Sequence, residues 1–201
     1  VAHRIPDRRP CSVLCRAPPV ADAIRSSPPP RMSLTLFTPD WRTLWEGQIT
    51  PESAGAVFTR PEVVDLILDL AGYRHDRGRL AHVRALEPSC GDGAFVSRLV
   101  ARLVESERAH ASAAGWADPI LHDALRACDI DAGVVAATRA EVVRQLVAAG
   151  CPAARAELLA GLWIVEADFL LEPWPGRYDV ICGNPPYVRI EALPKAVLAQ
   201  Y

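Results

Sequence analysis

Lysine is almost absent from this chain. Lys195 is the single one, so nearly all of the 22 basic residues are arginines, a skew expected of GC-rich coding rather than of any chemistry. Neither sign of charge dominates: 22 basic residues face 24 acidic ones, for a net charge of -2. No overall basic field therefore announces nucleic acid, and a polyanion would have to be met by local patches or by further protein. The six cysteines (Cys11, Cys15, Cys90, Cys128, Cys151 and Cys182) include no Cys-x-x-Cys pair. Scattered thiols argue against structural zinc and for a reducing, cytoplasmic setting. No cluster of metal ligands stands out, and no metal is expected. No apolar run approaches the ~20 residues of a membrane span. Prolines and charges interrupt every apolar stretch near the N-terminus, which argues against a secretory signal. What the chain has in quantity is apolar residue: 50% of its 201 residues. That is enough to bury the core of one domain, or of one domain with a tail.

The tail is residues 1–31. Pro6, Pro10, Pro18, Pro19 and Pro28-Pro29-Pro30 break it up, arginines are frequent, and no periodicity runs through it. Such a composition is expected to be disordered. The only methionine, Met32, follows directly, so translation is expected to start there; a basic tail that touches nucleic acid is the alternative. Residues 32–201 are read as part of one catalytic domain.

Strand and helix patterns alternate from residue 59 onward. Thr59-Arg60-Pro61-Glu62 fits a capping box with Thr59 as N-cap, and Phe58 with Val63 fits a hydrophobic staple. Val63, Val64, Ile67, Leu68 and Ala71 then mark one helical face, and Gly72 is a natural stop. His82–Glu87 reads as a strand, Ala94 to about Arg108 as a helix with Phe95, Leu99, Val100 and Leu103 inward, and residues 110–124 as an insertion with a short helix from Pro119. Leu125–Ile130 reads as a second strand. Asp131 caps a helix through Ala149, with Val134, Val135, Val142, Leu146 and Val147 on its face. Leu162–Ala167 and Tyr178–Gly183 complete four strands. Alternating short apolar strands and helices predict an α/β fold with a parallel, doubly wound sheet, whose ligands bind beyond the carboxyl ends of the strands.

Those ends carry the chemistry. The first leaves through Glu87-Pro88-Ser89-Cys90-Gly91-Asp92-Gly93-Ala94-Phe95. Two glycines before a helix allow a ligand close to the backbone. The three-glycine dinucleotide pattern is missing, as is a phosphate-binding lysine. Glu87 and Asp92 would repel a pyrophosphate but suit a ligand bearing an ammonium and a sulfonium; an ordinary turn with surface carboxylates is the plainer reading. The second strand ends in Cys128-Asp129-Ile130-Asp131. An acid there can accept from both hydroxyls of a ribose. The usual spacing is about 20 residues after the glycine loop, and the insertion explains the longer interval. Asp129 takes that role, and Asp131 is read as a simple N-cap. The third strand ends in Glu166-Ala167-Asp168-Phe169. Asp168 could accept from an adenine amino group while Phe169 packs on the purine; a solvated acid beside a core phenylalanine reads nearly as well.

The fourth strand ends in Asn184-Pro185-Pro186-Tyr187. The Asn184 side-chain oxygen and the Pro185 carbonyl can both accept from a planar NH2, the prolines stiffen the backbone, and the Tyr187 ring can stack on a base. A proline turn ending a strand, with the tyrosine as a surface anchor, is the alternative.

Taken in order, these motifs resemble the N6-adenine DNA methyltransferases whose cofactor motif precedes Asn-Pro-Pro-Tyr, the type II and fused type IIG restriction–modification methylases. The resemblance runs from about Gly47 to the C-terminus. Gly55-Ala56-Val57-Phe58-Thr59-Arg60-Pro61-Glu62 is similar to the family's N-terminal cofactor helix, Glu87–Phe95 to its glycine loop, and Asn184–Tyr187 with Val188-Arg189 to its catalytic loop. The Phe-Thr-Arg-Pro helix favours DNA over the protein-glutamine and RNA methyltransferases that share Asn-Pro-Pro-Tyr.

The resemblance implies a Rossmann-like fold that uses S-adenosyl-L-methionine. Its cofactor-binding residues would be Phe58, Thr59, Pro61, Glu87, Pro88, Ser89, Cys90, Gly91, Asp92, Gly93, Phe95, Asp129, Ile130, Asp168 and Phe169. Asn184, Pro185, Pro186 and Tyr187 would be catalytic, acting on an adenine flipped out of double-stranded DNA in a bacterial or archaeal nucleoid. Family members continue past the catalytic loop into further strands and a target-recognition domain. The expectation is therefore an N-terminal fragment holding the first four strands, completed by a missing C-terminal region or a separate subunit. An inactive remnant is the reading from another class.

Overall fold

The computed structural model describes residues 59–187, within the compact unit Thr38–Tyr201. The tail, Met32 and its start site, Phe58 with its staple, and Val188-Arg189 lie outside the described residues.

Helix α1 spans Pro61–Leu70. Its N-cap is Arg60, not Thr59, and no side chain caps it. The reason is Pro61. A residue before proline is pushed out of the helical region, and Arg60 is extended at φ -61°, ψ 141°. Proline thus becomes the first helical residue, Glu62 moves to the second position, and the capping-box spacing fails. Val64 and Leu68 are fully buried, while Val63, Leu66 and Leu70 are exposed. The predicted face was right at its centre and too wide at Val63 and Ala71. Gly72, at φ +75°, ends the segment in a left-handed conformation that favours glycine.

Strand β1 is Ala85–Glu87, shorter than predicted because Leu80–His82 closes a 3-10 turn. Helix α2, Ala94–His110, buries Phe95, Leu99, Val100 and Leu103 as its spacing dictates. Each such aliphatic side chain contributes about 1.5–3 kcal/mol when fully buried. The insertion folds as two 3-10 turns, Gly115–Ala117 and Pro119–Asp123, and drops Leu121 into the core. Arg155 fastens it by donating to the carbonyls of Trp116 and Asp118.

Strand β2 is Leu125–Asp129, and Asp131 caps helix α3, Ala132–Ala148, by accepting from the amides of Gly133 and Val134. Val135, Val142 and Leu146 are buried, but Val147 is 44% exposed and does not belong to the inward face. A further helix, α4, runs Ala153–Trp163 and was not foreseen. Leu162-Trp163-Ile164-Val165 reads as one apolar run, but alanine- and leucine-rich sequence keeps the helix going until β-branched Ile164 and Val165. Strand β3 is therefore only Ile164–Glu166. Trp163 is completely buried, and its indole N–H donates to the Leu121 carbonyl at 2.7 Å.

Strand β4 is Val180–Ile181. The four strands form one parallel sheet in the order β3-β2-β1-β4. The doubly wound, Rossmann-like α/β expectation holds. Within it, β1 and β2 lie at the centre, and all four strands send their carboxyl ends to one edge.

Candidate active site

Two of those ends, of β1 and β2, are stitched together. Cys90 N–H donates to the Cys128 carbonyl at 2.8 Å, and the Cys128 thiol donates to the Pro88 carbonyl at 3.0 Å. Gly91 N–H donates to Asp129 Oδ2 at 2.9 Å, while Asp131 N–H donates to Asp129 Oδ1 at 3.0 Å. The carboxylate of Asp129 thus holds the glycine loop with one oxygen and its own turn with the other, a bond that no spacing argument could supply. Each oxygen keeps a second lone pair for a ligand hydroxyl. Gly91 and Gly93 both have positive φ, at +47° and +79°. A Cβ on Gly93 would meet Thr138 Oγ1 at 3.5 Å, an ordinary contact, so it is the backbone angle that favours glycine there. Asp92 Oδ1 accepts from Ala94 N–H at the start of α2.

Glu87 lies beneath this loop. Only 1% of it is exposed, and its Oε2 has no hydrogen-bond partner. Burial pushes its carboxyl well above the usual carboxylate range, and the charges of Asp92 and Asp129 push it further. Cys90, Cys128 and Cys182 are buried around the same edge. Burial and nearby carboxylates raise the Cys128 thiol to about 12, and burial with Glu87 does the same for Cys182.

Asp168 is buried, not solvated; its Oδ1 accepts from Leu170 N–H at 3.0 Å. Phe169 stacks on Trp174 at 5.4 Å between ring centres, and its carbonyl accepts from the Trp174 indole N–H. Trp174 is a site neighbour that sequence reading missed. Ser89 and Ile130 are half-buried beside the loop ends, Phe95 is in the core, and Pro61 is exposed at the start of α1.

The fourth strand end is joined to the others through glycine. A Cβ on Gly183 would sit 3.4 Å from both Glu87 Cγ and Pro88 Cδ. Beyond it, Asn184 Nδ2 donates to Thr59 Oγ1 at 3.2 Å, and the Tyr187 hydroxyl donates to Asn184 Oδ1 at 3.1 Å. Tyr187 is 71% exposed. Pro185 and Pro186 are exposed as well. The larger cavity, about 520 Å³, lies elsewhere, between α1 and α2, and is lined by ion-paired Asp65, Asp69, Arg98 and Arg102. Its charges satisfy one another and leave it no chemistry to offer.

No protein-family model matches the chain. Individual relatives do. Type II methyltransferase M.XhoI of Xanthomonas vasicola is 42% identical over 151 residues, and M.PaeR7I of Pseudomonas aeruginosa is 45% identical over 150. M.BstVI of Geobacillus stearothermophilus is 34% identical over 153. These matches cover 75%, 75% and 73% of this chain. Over that segment the chain is similar to type II methyltransferases. It spans about a quarter of the length of these relatives, covering 28%, 26% and 27% of them. For a type II methyltransferase the arrangement makes chemical sense. The glycine loop, Asp129 and Asp168 stand at the ends of β1, β2 and β3, and Asn184 and Tyr187 follow the end of β4, beside β1.

Proposed function

We propose that these residues transfer a methyl group from S-adenosyl-L-methionine to the N6 amino group of adenine in DNA, as part of a restriction–modification system. The observation that carries the donor assignment is the cradle itself. It combines a backbone open at Gly91 and Gly93, an orphaned buried carboxyl oxygen at Glu87, and carboxylates at Asp92, Asp129 and Asp168. A ligand with cationic centres and ribose hydroxyls fits that donor set; a phosphate does not. Bound there, the cofactor supplies an electrophilic methyl group.

The protein's own contribution is a grip on the acceptor. An exocyclic amine delocalises its lone pair into the ring and is a poor nucleophile. Accepting both N–H bonds at Asn184 Oδ1 and the Pro185 carbonyl favours a more tetrahedral nitrogen, whose lone pair is free to react, a preorganised electrostatic effect. The amine needs no base beforehand, because its proton becomes acidic only after methylation. Tyr187 stacking would hold the extruded base, contributing roughly 1–3 kcal/mol. The further strands and recognition region of a whole methylase would supply sequence readout, on this chain's continuation or on a second subunit. Residues 1–31 would be dispensable for all of this.

Calorimetry with Asp129→Ala tests the cradle. Loss of a charged acceptor should weaken S-adenosylmethionine binding by on the order of 1–3 kcal/mol. Unchanged affinity would remove Asp129 from the site.

A further inference from the structure

Glu87 is the one carboxyl at the strand ends that is almost wholly buried and keeps an oxygen without a partner among the described residues. Its own strand β1 offers no compensating charge, and helix α2 gives only the Val96 backbone N–H. The glycine loop brings Asp92 and the Cys90 thiol, the end of β2 brings Asp129 and the Cys128 thiol, and the segment after β4 brings the Cys182 thiol. Among the described residues no lysine, arginine or histidine acts on it, and the charges that do, Asp92 and Asp129, are negative.

A buried carboxyl must either pair with a cation or hold its proton, because an isolated buried anion is too costly. Among the described residues no cation is supplied. The partnerless Oε2 is the atom to which a cationic ligand would provide a partner. We propose that Glu87 carries a proton while the cradle is empty and gives it up when a cationic ligand docks, so that loading releases a proton. This rests on the reading of the cradle as a site for S-adenosylmethionine. It makes Glu87 a selector for positive charge: a ligand that brings none leaves the acid protonated and gains nothing from it. It also makes affinity fall in acid, by up to about tenfold per pH unit between the range where Glu87 titrates without the ligand and the lower range where it titrates with it.

The test is calorimetry of S-adenosylmethionine binding to the full 201-residue chain, in two buffers of different ionisation enthalpy at one pH near neutrality. The expected result is an enthalpy that shifts with the buffer by the amount that reports release approaching one proton. Glu87→Gln should still bind but show no such shift. A wild-type chain that binds without releasing a proton overturns the proposal and leaves the cradle reading intact. So does release that persists in Glu87→Gln. No binding at all overturns the cradle reading itself. Should Glu87→Gln fail to fold, the carbon-13 shift of the Glu87 carboxyl decides the matter in the native chain. It should be that of an acid near neutrality when empty and that of a carboxylate when loaded. A Glu87 that titrates in the ordinary carboxylate range in the empty chain overturns the proposal whatever the ligand does.

Discussion

Asn184 and Thr59 are 125 positions apart, yet the amide nitrogen of one donates to the hydroxyl of the other at 3.2 Å. That bond decides which way the amide points. With its NH2 turned to Thr59, Asn184 presents its oxygen, the only end of the amide that can accept from an adenine amine. The threonine that the sequence offered as a helix cap instead accepts from the side-chain amide of Asn184. Thr59→Val keeps the shape and removes the acceptor. In a chimera where this chain replaces the matching segment of M.PaeR7I, it should slow methyl transfer roughly two- to tenfold, equivalent to about 0.5–1.5 kcal/mol for one hydrogen bond. Thr59→Ser should restore the rate. Equal loss in both variants would point to packing rather than orientation.

Tyr187 has two separable parts: its hydroxyl donates to Asn184 Oδ1 at 3.1 Å, and the residue is 71% exposed. Tyr187→Phe removes the hydroxyl and keeps the ring, so it should hold a flipped base at least as well as the native residue. Tyr187→Ala should lose roughly 1–3 kcal/mol of that hold. The fluorescence of 2-aminopurine at the target position, in the same chimera, reads both. Equal behaviour of the two variants would contradict the stacking role.

The sheet and most of its helices were legible because each rests on a local signal: Gly72 as a stop, Asp131 as a cap, and the spacing of Leu99, Val100 and Leu103 as a face. Helix α4 was not, because the apolar run 162–165 satisfies a strand and a helix equally and only packing of Trp163 decides. At the site, glycines and strand-end acids announced themselves. What could not be read was who binds whom. Asp129 to the Gly91 amide and Asn184 to Thr59 are long-range bonds, and nothing in either residue's neighbourhood specifies its partner. The placement of Arg60 could have been foreseen, since Pro61 forbids it a helical conformation.

Arg79 should be the costliest charge to remove. It forks onto Glu107 with bonds of 2.9 and 2.8 Å and reaches Asp118 at 2.7 Å, with only 10% of its side chain exposed. Arg79→Met would strand Glu107, whose side chain is 3% exposed. Breaking a buried pair in this way typically costs about 3–5 kcal/mol, read as a lower midpoint in urea. Ser112, Arg79 and the Ile120 amide hold the Asp118 carboxyl well below its ordinary range. Its folded value is depressed, so its contribution is present above the ordinary carboxylate range and is lost as pH falls through the folded value. Acid melts should show that loss in the native chain and less of it in Asp118→Asn.

The thiols of Cys128 and Cys182, both raised to about 12, should be nearly inert while the chain is folded. The thiolate is the reactive form. Iodoacetamide at mildly alkaline pH should leave the peptides carrying both residues unmodified until urea is added. Rapid native-state labelling of either would contradict the buried, anion-flanked setting described here.

The most direct measurement follows the methyl group itself. Duplex DNA is incubated with the chimera and S-adenosylmethionine labelled in its methyl group, and the nucleosides are then separated. Label should appear in N6-methyladenine. Asn184→Ala should abolish most of that label while binding S-adenosylmethionine nearly as well, because its contact is to the reacting amine. Label in cytosine, label only in protein, or an Asn184→Ala variant that transfers at the native rate would contradict the account.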